Sequence, residues 1–226
     1  MTKKKTTKAE QKEIELKKKQ EEAAHKLELM RIEMEQIHNN ITIASSLTDE
    51  LNYGLDIINK IIYLSGEIDQ YSGVVFQQKL MAILKFHGIK DQDPITLNIS
   101  SYGGDVYSTF SIIDSIRNCP IPINTAGSGQ IMSAAALILS AGTGKRSLTP
   151  NSYIMNHEIS TMFSGQASSI QNEASHVKIL QEQFVGLLDK FTKKRKGYWG
   201  KKLKHNVYIN AEDSKKLKLI DNIVGV

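Results

Sequence analysis

Hydrophobic and polar residues follow a different pattern in the first 45 residues than in the rest of the chain. Residues 1–45 contain neither glycine nor proline and are rich in Lys, Glu and Gln. We predict a charged N-terminal extension here, helical or disordered. The pattern fits a coiled coil or docking helix, but equally a frayed amphipathic helix or disordered tail. The apolar positions that step by four and three, as in a short heptad seam, are Ala23, Leu27, Met30, Met34, Ile37 and Ile41.

From Tyr53 onward, short apolar runs alternate with segments whose apolar residues have helical spacing. The runs predict buried strands and the segments between them predict helices, which together indicate a parallel, layered α/β core. The predicted strands are 61–64, 95–99, 121–126, 145–148 and 153–156, and the predicted helices are 73–87, a segment from Val106 to Ile116, and an alanine-rich segment after Ser133.

The C-terminal part of the chain predicts one long helix and two short final elements. Residues 166–193 carry apolar side chains over a wide arc of a helix. One small domain does not supply enough partners for such an arc, so we expect self-association. A helix over 211–219 and a strand over 220–224 follow, with Asn210 as the helix cap.

Composition limits the classes of protein that fit. With 226 residues, 40% hydrophobic and 23% charged, the chain is long enough for one domain with a substantial core, which we place at 46–226. No apolar run reaches the roughly 18–20 residues of a membrane span, and the N-terminus lacks a secretory-type stretch. Cys119 is the only cysteine, which excludes internal disulfides and a cysteine zinc cluster. We expect a cytoplasmic protein without membrane contact.

The net charge of +5 comes largely from two lysine-rich stretches, 3–19 and 193–204. The first is interleaved with glutamates, and neither lies in a nucleic-acid-binding motif. We therefore expect a solvated basic surface and no nucleic-acid partner.

Ser133 is the most informative candidate for chemistry. It follows a strand-like run and a glycine turn, Gly127–Gly129, and it opens the alanine-rich helix. Backbone N–H groups at a helix start have no partner within the helix, so they can stabilise an oxyanion, which a serine nucleophile requires. Serine is also a preferred N-cap, and from this residue alone that simpler interpretation stays open.

Two further features supply the other parts of a serine-hydrolase site. Gly103 and Gly104 end a predicted strand as a flexible pair that permits close substrate approach. The N–H groups of this pair and of Ala134 are candidates for an oxyanion hole. His157 follows strand 153–156 at a sheet edge, where active sites of α/β folds collect, and is the candidate base. The alternative interpretations are a simple turn for the glycine pair and a structural role for His157.

Two familiar motifs are absent. Neither Ser133 nor Ser128 lies in the Gly-x-Ser-x-Gly elbow of an α/β-hydrolase, and Ser128 is explained as part of the glycine turn. The segment from Gly142 to Lys145 lacks the spacing of a nucleotide-binding phosphate loop.

Several motifs in matching order resemble the Clp protease proteolytic subunit (ClpP) family. The resemblance covers residues 53–226, about three quarters of the chain. It rests on Ile61-Ile62-Tyr63-Leu64-Ser65-Gly66, Ser101-Tyr102-Gly103-Gly104, Gly129-Gln130-x-x-Ser133, Lys145-Arg146, Pro150-Asn151-Ser152, Met155-x-His157, Gly165-Gln166-Ala167 and Leu219-Ile220-Asp221.

This resemblance implies an α/β fold of the ClpP/crotonase type, built from repeated ββα units. It implies that the helix over 166–193 is a handle that joins two seven-membered rings into a tetradecameric barrel, as a homo-oligomer or with homologous subunits. Ser133 becomes the nucleophile and His157 the base, and Gly104 and Ala134 supply the oxyanion hole. Gly103 and Gly104 bind the peptide substrate. An ATPase unfoldase is the implied partner, and neither a metal nor an organic cofactor is implied.

The chain departs from the family pattern at the third triad position. Asn206 falls where the family has an acid, before the segment Val207-Tyr208-Ile209-Asn210-Ala211. An amide oxygen can orient the histidine ring but cannot stabilise the imidazolium as a carboxylate does, so we expect an activity that is weak, dependent on assembly, or lost. Asp189 and Asp213 are the alternative acids if the alignment is shifted.

Two other departures concern partners. Residues 1–45 do not resemble the pore-lining segment of the family, and Tyr102 and Asp105 replace the usual Pro and Ser beside the glycine pair. These changes put coupling to an unfoldase in question.

The leading hypothesis is a serine endopeptidase that cleaves peptides or unfolded proteins inside a barrel. The alternatives are an inactive or weak ring subunit that modulates active homologues, and a viral capsid-maturation protease of the same family. An acyl-CoA enzyme of the crotonase type shares the fold, but a Ser133–His157 pair argues against it.

Overall fold

The computed structural model describes the backbone of residues 8–224 and the side chains of residues 17–44 and 53–224. Contacts divide the chain into two compact units, with the boundary between Thr48 and Asp49. The first element is helix α1 (Lys8–Tyr53), whose residues up to Thr48 belong to the first unit. Within the described part of the chain, no helix is long and apolar enough to cross a membrane.

Helix α1 leaves its apolar seam uncovered in the single chain. Leu27, Met34 and Ile41 are 71%, 68% and 64% exposed. A helix that buries no apolar face gains nothing from tertiary packing. The segment predicted as helical or disordered is thus helical here, and a coiled coil or docking role for it stays a prediction.

The second unit is an α/β structure around one sheet. The central strands run parallel, as predicted, and the edge strands β1 and β7 are antiparallel to their neighbours. The sheet order is β1-β2-β3-β4-β5-β8, and β6 pairs with β4 and β7. The strands are β1 (Leu55–Asp56), β2 (Ile61–Ile68), β3 (Ile95–Gly104), β4 (Ile123–Met132), β5 (Arg146–Leu148), β6 (Tyr153–Asn156), β7 (Val207–Asn210) and β8 (Asn222–Ile223).

The glycine turn predicted before Ser133 is wrong, and so is the assignment of Ser128 to a turn. Strand β4 continues through Gly127 and Gly129 to Met132. It pairs with β5 up to Gly127 and with β6 from Gln130 onward. Gly129 lies between these partners at φ +69° and donates its N–H to Ser152 Oγ. The glycines therefore let one strand change neighbours without ending it.

Helices cover the sheet and supply the core. They are α2 (Ser72–His87), α3 (Val106–Asn118) and α4 (Ala134–Ser140), close to their predicted ranges. Every residue of α4 is buried, which explains its composition of small and aliphatic side chains. The largest fully buried side chains of the described part include Trp199, Ile62, Ile83, Leu97, Ile112 and Ile123.

The C-terminal elements are α5 (Ala167–Phe191), α6 (Tyr198–Lys202) and α7 (Ala211–Lys216). The long predicted helix is present, but it buries side chains only from Leu180 onward, and its residues 167–176 are exposed. Asn210 caps α7 as predicted, since its Oδ1 accepts from the Asp213 N–H at 2.8 Å. The final helix and strand are shorter than predicted.

Candidate active site

One pocket collects most of the predicted site residues. It lies where β2, β3, β4 and β6 end, and its volume is about 390 Å³. Parallel strands bring their carboxyl ends to the same edge of a sheet, which is where ligands bind in α/β folds. Its lining includes Gly103, Gly104, Ser133, Ala134 and His157, together with Glu67, Tyr102, Val106, Thr109, Ile159, Ser160 and Phe184.

Ser133 is held in a strained backbone conformation between β4 and α4. Its φ is +54° and its ψ −122°, a region that non-glycine residues rarely adopt. Its N–H donates to the Met155 carbonyl at 2.6 Å, which fixes this sharp turn. Its side chain makes no capping hydrogen bond to α4, so the simple N-cap interpretation is wrong. Strain of this kind persists where the surroundings enforce it, typically at functional sites.

The two glycines lie closer to their neighbours than any side chain permits, Gly103 against the serine turn and Gly104 against β2. A Cβ on Gly103 would lie 2.6 Å from the Met132 carbonyl oxygen and 2.8 Å from Ser133 Cβ. One on Gly104 would lie 2.1 Å from the Ile68 carbonyl oxygen. The Gly103 N–H already donates to Ser101 Oγ at 3.0 Å. Close approach of β3 therefore brings the glycine backbone beside the start of α4, as an oxyanion hole requires.

His157 follows β6 directly and is half-buried. The parallel register pairs Met132 with Met155. Ser133 comes one residue after this pair, and His157 comes two residues after it on the neighbouring strand. Within the described residues, no hydrogen bond joins the two side chains. Catalytic hydrogen bonds are often long without substrate and tighten when it binds. The arrangement puts the candidate base and the candidate nucleophile in one pocket without a hydrogen bond between them.

Asn206 is absent from the pocket lining and is exposed. The antiparallel register of β6 and β7 pairs Asn156 with Val207. Continued by one residue, the ladder sets His157 opposite Asn206. The described contacts include no hydrogen bond between Asn206 and the candidate base, so a contact between them stays a prediction.

The two alternative acids have other partners. Asp189 is buried and accepts the N–H groups of Gly197 at 2.6 Å and Trp199 at 3.0 Å. Asp213 lies 2.8 Å from the Lys216 ammonium, and this hydrogen bond lowers the pKa of Asp213 below its ordinary value. These contacts account for both carboxylates. Asp189 binds the segment that follows α5, and Asp213 binds Lys216 within α7.

Asn156 adds a second energetic cost beside the serine turn. Its side chain is fully buried, and neither its oxygen nor its nitrogen has a hydrogen-bond partner among the described residues. An unpaired buried amide costs about 1–3 kcal/mol. Local strain and an unpaired polar group together are more typical of a functional site than of a structural turn.

Sequence analysis missed the walls of the pocket beyond these residues. Glu67 ends β2, Thr109 lies in α3, and Phe184 comes from α5. None belongs to a motif of chemical meaning, and the last is more than 70 residues away from the first two in sequence. Glu67 could have been predicted from its position alone, because it is a polar residue at the same sheet edge as the glycine pair.

The described residues contain no cluster of three or more His, Cys, Asp or Glu side chains that could hold a metal ion. The pocket presents a serine hydroxyl, an imidazole and backbone N–H groups, which are suited to nucleophilic and electrostatic chemistry.

Comparison with known proteins agrees with this geometry. The family model for Clp protease matches residues 50–226. The ATP-dependent Clp protease proteolytic subunit 2 of Frankia casuarinae is 32% identical over an alignment of 184 residues that covers 78% of this chain and 83% of that protein. The family model covers the strands, the serine turn and the pocket. On this evidence the chain belongs to the Clp protease family.

Proposed function

We propose that this chain is a serine endopeptidase that cleaves peptides or unfolded proteins. The observation that carries the proposal is the strained turn of Ser133, set in one pocket with His157 and the glycine pair. Ser133 Oγ attacks the scissile carbonyl carbon while the His157 imidazole takes its proton. The N–H groups of Gly104 and Ala134 stabilise the oxyanion, and Gly103 and Gly104 bind the substrate backbone.

The remaining steps use the same groups. The C–N bond breaks as His157 returns the proton to the leaving amine, and a water molecule then hydrolyses the Ser133 ester with His157 again as base. Asn206 orients the imidazole through its amide oxygen. Since an amide carries no charge, this triad stabilises the imidazolium less than a carboxylate would, and turnover is slow. No metal or organic cofactor takes part.

The proposal includes an oligomeric barrel in which the sites face inward. The exposed first half of α5 supports it, because an amphipathic helix that buries nothing in its own chain has a face left for another copy. Seven-membered rings joined by this handle as a tetradecamer are the expected form, alone or with homologous subunits. An ATPase unfoldase is a candidate partner, and the single cysteine, Cys119, favours the reducing cytoplasm.

The deciding experiment is labelling of the purified protein with a fluorophosphonate or β-lactone probe. We expect covalent labelling at Ser133 in the unaltered chain and none in Ser133→Ala. Assembly, followed by light scattering, should be the same in both proteins. Labelling of Ser133→Ala at another residue would show that the nucleophile is assigned wrongly.

One observation favours a second candidate, a ring subunit that is inactive alone and modulates active homologues. That observation is the amide at position 206, where a carboxylate would be expected in an active triad. Unlabelled Ser133 in protein shown to be assembled would favour this role over the peptidase.

A further inference from the structure

The charge inside the catalytic pocket is distributed unevenly. Apart from the titratable His157, Glu67 is the one lining side chain that bears a formal charge. Three other lining residues, Val106, Ile159 and Phe184, are apolar. A carboxylate and apolar side chains in one pocket are complementary to a side chain with a long aliphatic stem and a cationic end.

Glu67 lies on the far side of the glycine pair from His157. In the sheet, β2 neighbours β3, which neighbours β4, which neighbours β6. A register shift after Gly66 pairs Glu67 with Gly103 rather than with the residue before it. Glu67 is thus adjacent to the glycine backbone that meets the serine turn. Two strands, β3 and β4, separate its strand from β6, which precedes the candidate base. This position suits contact with substrate rather than with the imidazole.

The Glu67 carboxylate is not used by the fold. The described residues give its side chain no hydrogen bond and no ion pair. Asp69, two residues later, is different: it accepts from the Tyr71 N–H and from the Ser72 hydroxyl, which lower the pKa of Asp69. Lys79 lines the cavity on the other side of Glu67 but forms no ion pair with it within 4.0 Å. An acidic group without a structural partner is available for a ligand.

We infer that Glu67 is a specificity-determining residue that selects lysine or arginine in the substrate. The pocket shares its walls with Ser133 and the oxyanion glycines, so the side chain that enters it belongs to the residue whose carbonyl is attacked. The stem of that side chain packs on Val106 and Phe184, and its ammonium or guanidinium group meets Glu67. This inference rests on the proposed peptidase function and names the substrate class of the same site.

The test compares two substrates that differ only in charge. Fluorogenic peptides carry arginine or its neutral isostere citrulline before the scissile bond. Glu67 is exposed, so we expect kcat/KM to favour arginine by about two- to fivefold at low salt, the size of an exposed ion pair, and the ratio to shrink as salt is added. Glu67→Gln should bring the ratio close to one, and Glu67→Lys should invert the preference toward a glutamate substrate.

Asp69→Asn is the matched control. It removes one negative charge two residues away that does not line the pocket, so the arginine preference should persist. If Glu67→Gln keeps the wild-type ratio, or if Asp69→Asn abolishes it equally, the inference is overturned. Those outcomes would mean that the preference is absent, or that it comes from the general field of the protein.

Binding to the Ser133→Ala protein separates this inference from the proposed function. Fluorescence anisotropy reports the affinity of the same two peptides when no cleavage occurs. Tighter binding of the arginine peptide that Glu67→Gln removes would support the role of Glu67, even if the unaltered chain neither cleaves nor labels. Equal binding of both peptides would overturn it, even if Ser133 labels readily.

Discussion

At the scale of single residues, we expect the amide of Asn206 to limit turnover most. In the chymotrypsin-type triad, replacing the aspartate by asparagine lowers turnover about 10⁴-fold. The antiparallel ladder of β6 and β7 ends at the pair Asn156 and Val207, one residue before His157 and Asn206 would meet, so we expect the reverse change to supply a carboxylate to the imidazole. We expect Asn206→Asp to raise kcat for a peptide substrate by at least about tenfold. An unchanged or lower kcat would mean that another group orients His157.

Gly103 tests the close approach on which the oxyanion hole depends. A methyl group there would meet the Met132 carbonyl and Ser133 Cβ at 2.6 and 2.8 Å, and its φ is +93°. We expect Gly103→Ala to displace the serine turn and abolish probe labelling of Ser133. Gly66→Ala is the matched control, because Gly66 also has a positive φ, +79°, yet a Cβ there would meet nothing within 4 Å.

Equal loss of labelling in both alanine variants, with both still folded by circular dichroism, would assign the loss to the positive φ that the two positions share. The close contact between position 103 and the serine turn would then have no catalytic role.

The sequence indicated the candidate reacting residues of the pocket better than the other residues that line it. Ser133, His157 and the glycine pair each carry an unusual residue type at an element end, which sequence alone reveals. Glu67 and Phe184 have no such mark, because their place in the pocket depends on which strands and helices become neighbours. The strain at Ser133 was also invisible, since it comes from the Met155 carbonyl on another strand.

At the scale of elements, Arg146 joins β5 to the end of the chain. Its guanidinium contacts both carboxylate oxygens of Asp221, at 2.6 and 3.0 Å. It also donates to the carbonyls of Phe191 and Lys218, both at 3.1 Å. Arg146 is mostly buried, with 11% of its side chain exposed. Removing its anion would leave a poorly solvated charge, which is strongly destabilising.

We therefore expect Asp221→Asn to lower Tm at pH 7. The hydrogen bond from Arg146 lowers the pKa of Asp221 below its ordinary value of 3.8. A carboxyl whose folded pKa is depressed stabilises the fold above the unfolded pKa, and that stability is lost as pH falls through the folded pKa. The gap in Tm between Asp221→Asn and the unaltered chain should thus be full well above pH 3.8 and should close as the pH falls through the depressed pKa of Asp221.

Asp213→Asn is the control for this pair. Asp213 likewise forms an ion pair, with Lys216. Both partners are solvated, since 52% of the Asp213 side chain and 72% of the Lys216 side chain are exposed. An exposed pair contributes little, so Tm should barely change. A pH-independent gap for Asp221→Asn would assign its effect to packing rather than to charge.

The elements themselves were predictable where a hydrophobic pattern is local. Apolar runs marked the first halves of β2, β3 and β4, but each strand extends further, through polar and glycine residues. Ladder hydrogen bonds depend on the neighbouring strand rather than on side-chain type, so the pattern ended before the strand did. The short edge strands β1 and β7 were missed for the same reason.

At the scale of the whole molecule, α5 carries a hydrophobic stripe that is only half covered. Leu180, Phe184 and Leu188 lie on one face and are buried. The same face continues toward the helix start through Val177, Ala174 and Ile170, beyond the buried part. Helical spacing puts these residues in line, so we expect another copy of the chain to cover the outer half.

We expect Ile170→Glu to reduce the mass of the assembled particle measured by light scattering, because a charge would be buried in the contact between copies. Ile179→Glu is the matched control. Ile179 lies on the opposite face of the same helix and is more exposed, 61% against 39%. If it breaks the assembly as effectively as Ile170→Glu, the stripe is not the contact face. If neither change alters the mass, α5 is not the element that joins the rings, and the barrel form of the proposed peptidase loses its structural support.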